Sequence, residues 1–164
     1  MASKKLVIVI AALLTAIPLS ALADNDGMQS ASGAAQITFP FGGVVVDRYE
    51  FAAVRHSDGH VTGRFNFRSR YDDQQIRASG EVLCVTVTGN RARIGGIVRQ
   101  SDFEQGIPVG SQLFWSVTDN GEGHNDASDT ASPLLGTADA AAFCAAGAPA
   151  PEFAVGRGNI QVRP

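Results

Sequence analysis

The sequence predicts an all-β protein, an antiparallel β-sandwich or small β-barrel with one short helix near its C-terminus. Three observations favour this class. Small or apolar side chains alternate with polar ones along 61–68, which is typical of a strand with one buried face. Two residue pairs that accept positive φ angles, Asp58-Gly59 and Gly89-Asn90, separate strand-like runs. Glycines also occur inside these runs, which favours bulged and curved sheets.

The first 23 residues are typical of a secretory signal peptide. Two lysines precede an apolar run, 6–17, which ends before the small-x-small motif 21–23. The run is shorter than the roughly 20 residues that a helix needs to cross a bilayer. We therefore expect cleavage between Ala23 and Asp24, a secreted or periplasmic product, and no membrane span in the mature chain.

The charge of the mature chain excludes one class of partner. Removing the two lysines leaves 11 of the 13 basic residues against 16 acids, so the formal net charge changes from −3 to −5. A protein that binds duplexes needs a concentrated positive surface, whereas these arginines are scattered among more numerous carboxylates. We expect no nucleic-acid partner.

The mature chain has the size of one domain with a single core. Residues 24–36 are small and polar without a period, which predicts a flexible N-terminal arm before a single β-domain, 37–164. The first two predicted strands form one hairpin and the next two form another. In chain order the predicted strands are 49–55, 61–68, 80–88, 91–100, 113–118 and 159–162.

One segment, 138–146, favours a helix, with Thr137 as its cap and Gly147 as its end. Cys84 lies in an apolar strand and Cys144 on this helix, and the chain has no other cysteine. An exported chain with two cysteines is expected to join them in a disulfide. A catalytic role for Cys84 is disfavoured because its apolar surroundings would desolvate a thiolate.

The densest polar segment, 119–129, follows the strand that contains Trp115. Its carboxylate and amide oxygens are the ligands that calcium prefers, which makes calcium the one cofactor that the sequence suggests. The EF-hand order is not met, and a surface loop with Asx turns is the alternative. The candidate ligands are Asp119, Asn120, Glu122, Asn125, Asp126 and Asp129.

Catalytic motifs are absent from the sequence: it has no nucleophile elbow, no HExxH, no phosphate-binding glycine loop and no CxxC. We therefore expect a non-enzymatic binding or structural module with a cell-surface or extracellular partner of unknown identity. The alternative from another class is a small hydrolase or isomerase that uses the acidic loop with His124. A glycosidase would need Glu81 close in space to Glu104 or Glu122.

Two more patterns leave alternatives open. Arg64, Arg68, Arg91 and Arg93 recur at spacings of two or four, so they form either an outward stripe for an anionic glycan or a solvated face. Aromatic residues predicted to point inward either fill the core or surround a small apolar ligand that the protein carries. They are Phe39, Phe41, Phe51, Phe65, Phe67, Phe103, Phe114 and Trp115.

Several segments together resemble a family of uncharacterised exported bacterial β-domain proteins. They are GEVLCVTV at 80–87, TGNRA at 88–92, IGG at 94–96, VTDNGEG at 117–123 and GNIQV at 158–162. A looser similarity is to β-modules of bacterial surface proteins. The resemblance covers most of 37–164 and implies an exported β-domain, without implying a reaction.

Overall fold

The computed structural model describes residues 27–71, 73–122, 126–147 and 150–164. The predicted signal peptide and its cleavage site at Ala23 and Asp24 lie outside the described residues. The elements are β1 (Gln29–Pro40), β2 (Val44–Arg55), β3 (Val61–Tyr71), β4 (Gln74–Thr88), β5 (Arg91–Ser101), β6 (Gln112–Thr118), β7 (Thr130–Ala131), β8 (Leu135–Thr137), α1 (Ala140–Ala146), β9 (Phe153–Ala154) and β10 (Arg157–Arg163).

The strands form one antiparallel sheet in the order β10-β1-β2-β3-β4-β5-β6-β7-β9, with β8 paired to β6. Within the described residues the path is open and does not close into a barrel. The predicted all-β class with one short helix is confirmed, and the open path is consistent with the sandwich.

The inward side chains of strands that are distant in the sheet share a single core. Phe51 of β2 and Phe65 of β3 contact Trp115 of β6, with ring centroids 6.0 and 5.4 Å apart. A single sheet brings such strands together only by folding over itself. The concave face therefore encloses the core, whose largest buried side chains include Ile37, Phe65, Ile94, Trp115 and Ile160.

Both predicted hairpins are confirmed, with positive φ at Gly59 (83°) and Gly89 (59°). The structure differs from the prediction at the N-terminal arm, because residues 29–36 belong to β1. Here Ala31 and Ala35 are buried, and the strand pairs with β10 on one side and β2 on the other. Backbone hydrogen bonds to two neighbours hold β1 in place despite its small side chains.

Helix α1 packs against the outer face of β4, β5 and β6, where Cys84 and Cys144 form the predicted disulfide with their Cα atoms 6.3 Å apart. Gly95 permits this close approach, because a Cβ there would lie 2.6 Å from Cβ of Ala140. The helix begins later than predicted, at Ala140, because the Asp139 carboxylate and not Thr137 accepts the cap hydrogen bond.

The segment that follows the helix is fixed to the outer face of β6 by Glu152. Its carboxylate, only 6% exposed, accepts hydrogen bonds from the hydroxyls of Ser116, Thr118 and Thr130. Arg91 Nε lies 3.4 Å from the same carboxylate. A buried charge needs such partners, so the contacts explain how an acidic residue occupies this position.

Candidate anion-binding site

The predicted acidic loop approaches the edge strand β10. Asp129 accepts the backbone N–H of Ile160 through Oδ2 (2.8 Å) and that of Asn120 through Oδ1 (2.9 Å). Asp119 accepts the N–H of Val162 through Oδ2 (3.0 Å). On its free side, β10 has no neighbouring strand among the described residues to accept its backbone N–H groups. The two carboxylates accept hydrogen bonds from these groups instead.

Glu122 also faces β10. Its Oε1 atom accepts from Asn159 Nδ2 (2.9 Å) and Gln161 Nε2 (3.1 Å), and these hydrogen bonds hold the pKa of the Glu122 carboxyl below its ordinary value. Asn120 donates from Nδ2 to the carbonyl of Ser128.

Among the described residues, no three acidic, histidine or cysteine side chains come close enough to hold a metal ion. Asn125 and His124 lie outside the described residues, while Asp126 is described but contributes to no such group. Calcium binding at 119–129 stays a prediction, which melting curves in excess calcium and in chelator would test.

The three glutamates considered for glycoside hydrolysis have separate partners. Glu81 forms an ion pair with Arg99 (2.7 Å), Glu104 accepts the N–H of Val109 (3.0 Å), and Glu122 lies against β10. The structure thus gives each of these three carboxylates a different partner.

The predicted aromatic cluster divides between the core and the surface. Phe51, Phe65 and Trp115 pack together in the core, but Phe41 is 75% exposed and the prediction that it points inward is wrong. Phe114 is on the outer face of β6, where its ring lies 4.3 Å from that of Phe143 on α1.

The predicted arginine stripe also divides. Arg64 and Arg68 are exposed on the outer face of β3. On β5, by contrast, Arg93 is only 7% exposed and donates from Nε to the carbonyl of Cys144, and Arg91 contacts Glu152. The two halves of the stripe therefore face different surroundings.

Strand register builds a different row of arginines on the outer face. Arg48 of β2 lies directly opposite Arg68 of β3, which lies directly opposite Arg77 of β4. On the other side Gln36 of β1 pairs with both Arg48 and Arg157 of β10. We call Arg48, Arg68, Arg77 and Arg157 the arginine row; it crosses five adjacent strands with Gln36 in its path.

The arginine row lines an open groove of about 820 Å³. Two carboxylates, Glu50 and Asp102, also line it, so the four arginines leave an excess of positive charge in a chain of net charge −3. Asp102 accepts the backbone N–H of Arg77 through Oδ1 (2.6 Å). The neutral polar lining includes Gln36, Asn66, Ser79, Gln100 and Ser101.

No member of the row forms an ion pair with an acidic side chain in the described part of the chain. Arg48 donates from Nε to Gln36 (2.8 Å) and Arg77 from Nη2 to Gln75 (3.0 Å), and both acceptors are neutral amides. Like charges directly opposite each other on adjacent strands are destabilising. The fold therefore maintains a concentrated positive surface that the two carboxylates of the groove, Glu50 and Asp102, offset only in part.

Sequence reasoning identified Arg68 but not Arg48, Arg77 or Arg157 as part of one site. These residues are far apart in the chain, and only the strand register places them side by side. In the sequence, these residues share only their alternate, outward-facing positions on strands that end in defined turns. This pattern indicates a site only once the pairing of the strands is known.

The chain matches no family model, no curated protein and no solved structure. The resemblance to exported bacterial β-domain proteins thus stays a prediction. In the part of the chain that is described, there is no helix with the length and apolar character needed to span a membrane.

Proposed function

We propose that this protein is an exported, non-enzymatic binding module whose arginine row binds ligands that carry several anionic groups. The observation that carries the proposal is the direct opposition of Arg48, Arg68 and Arg77 on three adjacent strands. Export is supported by the signal-peptide pattern of the first 23 residues and by the disulfide between Cys84 and Cys144.

The spacing of the row suits a ligand with repeated charges. Neighbouring strands lie about 4.8 Å apart, so the five strands from β10 to β4 span roughly 19 Å. Four guanidinium groups along that span offer phosphate, sulfate or carboxylate groups several contacts at once. Each guanidinium presents its donors in a planar fork that matches the oxygens of such groups.

The charge balance of the groove supports the same function. Arg68, in the middle of the row, has no side-chain hydrogen bond or ion pair with other described residues. An anion that bound between Arg48 and Arg77 would remove the repulsion within the row while adding charge-assisted hydrogen bonds. These contribute roughly 1.5–3 kcal/mol each where the partner is charged.

The proposal is tested by comparing Arg68→Gln with Arg64→Gln. Both residues are exposed on the same face of β3, but Arg64 lies opposite Glu81 and outside the groove. With a short polyphosphate as the probe, calorimetric titration at low salt is expected to give about tenfold weaker binding for Arg68→Gln and little change for Arg64→Gln. Equal affinities of the two variants would overturn the proposal.

The salt dependence of binding supplies an independent readout. The affinity of the unaltered protein for polyphosphate should decrease steeply as salt is added, since counterions compete for the arginines. Replacing Arg48, Arg68 and Arg77 together by glutamine should flatten that dependence. A steep dependence in the triple variant would place the anion elsewhere on the surface.

A further inference from the structure

The turn between β1 and β2 carries two of the most exposed apolar side chains in the described residues. Phe41 is 75% exposed and Val44 is 65% exposed. The turn is ordered by its own contacts: the Phe41 N–H donates to the carbonyl of Gly43 (2.9 Å), and the Tyr71 ring packs beside Gly43. We call Phe41 and Val44 the apolar tip.

Val44 of the apolar tip lies on the same outer face of the sheet as the arginine row. Val44, Val46 and Arg48 occupy alternate positions of β2 and therefore point to the same side. Arg48 follows Val44 by four residues along the strand, so their Cα atoms lie about 13 Å apart. Between them a smaller cavity of about 120 Å³ is lined by Val46, Arg48, Arg68 and Arg70, so the cationic surface reaches almost to the tip.

We propose that the apolar tip inserts into an anionic lipid surface while the arginine row binds the phosphates of its headgroups. This inference rests on the proposed function, and it specifies the source of the anionic groups. A soluble polymer bound in the groove would leave Phe41 and Val44 in water, whereas a lipid surface buries apolar groups and supplies phosphates side by side.

Charge complementarity favours the anionic surface over a neutral one. Phe41 and Val44 alone bury too little apolar area for stable attachment to a membrane. A weak apolar anchor of this kind generally needs a second, electrostatic attraction to the lipid surface. Arginines held near an anionic leaflet supply this signal, each strengthening binding several-fold. Five arginines meet this condition: Arg70, which lines the smaller cavity, and the four of the row.

The test is sedimentation of the oxidised mature protein with vesicles of phosphatidylcholine, with or without about one third phosphatidylglycerol. We expect binding to the phosphatidylglycerol vesicles and at least tenfold weaker binding to the neutral ones. Replacing Phe41 and Val44 by serine should weaken vesicle binding about tenfold but leave polyphosphate binding unchanged, since neither side chain lines the groove. Val109→Ser, at a 51% exposed loop position, is the matched control and should bind as the unaltered protein does.

The outcomes separate the two proposals. Polyphosphate binding without vesicle binding, or vesicle binding that the tip variant retains, overturns the lipid inference and leaves the proposed function intact. Failure to bind either probe overturns both. Phe41→Trp gives a second readout because its indole would lie at the tip: its emission should shift to shorter wavelength with anionic vesicles, and an unchanged emission contradicts insertion.

Discussion

Asp47 has the most unusual environment of any carboxylate described. Its side chain points into the core from β2, is 3% exposed, and has an Oδ1 atom with no hydrogen-bond partner in the described part of the protein. Burial raises the pKa of Asp47 from 3.8 to about 6, while the Ser69 hydroxyl opposes this rise. Burial, and then the charges of Asp47 and Glu152, also raise the pKa of Tyr49. Because a buried carboxylate without a cationic partner among the described residues is costly, Asp47 should reduce stability when it is ionised.

This cost has a defined pH window. Between the unfolded pKa of 3.8 and the folded pKa of about 6, the folded protein holds a proton that the unfolded chain releases. The contribution of Asp47 to the free energy of unfolding therefore falls as the pH rises through this window, and it stays low above it. The difference between the two pKa values corresponds to a loss of about 3 kcal/mol in the free energy of unfolding at neutral pH.

Asp47→Asn should therefore stabilise the protein by up to about 3 kcal/mol near pH 7.5 and by much less near pH 4. Urea unfolding of both proteins at the two pH values measures the difference. Asp73→Asn, at an exposed turn position, is the control and should change stability by a similar small amount at both. A gain for Asp47→Asn that is the same at both pH values would show that burial does not impede ionisation of this residue.

At the scale of elements, β10 is the edge strand whose free side is capped by side chains instead of a neighbouring strand. Its other side pairs with β1, while Asp119 and Asp129 accept N–H groups of the free side. Exposed strand edges invite pairing with other chains, and occupied donors reduce that tendency. The acidic loop thus has a structural use that its composition alone does not reveal.

We expect Asp129→Asn to destabilise the protein by about 1–3 kcal/mol, because an amide placed there cannot accept from both Ile160 and Asn120. Urea unfolding measures the loss, and faster hydrogen exchange of the Ile160 amide locates it. Asp58→Asn is the matched control, since Asp58 also accepts a backbone N–H, from His60, but at an exposed turn. An equal loss in the two variants would contradict the role given to Asp129.

Sequence reasoning succeeded where local chemistry decides the structure. The period-two runs and the turns at Gly59 and Gly89 predicted both hairpins, and the two cysteines predicted the disulfide. It failed for β1, whose inward positions are small residues such as Ala31 and Ala35 that give no apolar signal. The arginine row was missed for a different reason: its members come together only through register, which depends on contacts across the whole sheet.

At the scale of the whole molecule, the two regions of the outer face differ in what covers them. Over β4 to β6 the face is covered by α1, the disulfide and the segment that Glu152 holds. Over β10 to β4 the described residues leave the face open, and it carries the arginine row. In a chain of net negative charge, positive charge is thus concentrated on a region of the outer face that the described residues leave uncovered, an arrangement that supports the proposed binding of anionic ligands.

This division predicts that stability and binding can be separated. Closing a loop with a sequence separation of 60 restricts the unfolded chain by about 4 kcal/mol on the chain-entropy estimate, so replacing Cys84 and Cys144 by serine should lower stability by roughly 2–4 kcal/mol in urea. Arg157, although it follows Cys144 in the chain, is held in the row by pairing of β10 with β1 and not by α1. Polyphosphate affinity of the folded double variant should therefore stay within about twofold of the unaltered protein. A loss of affinity as large as that of Arg68→Gln would mean that α1 and the disulfide position the arginine row, and that the two regions of the outer face are coupled.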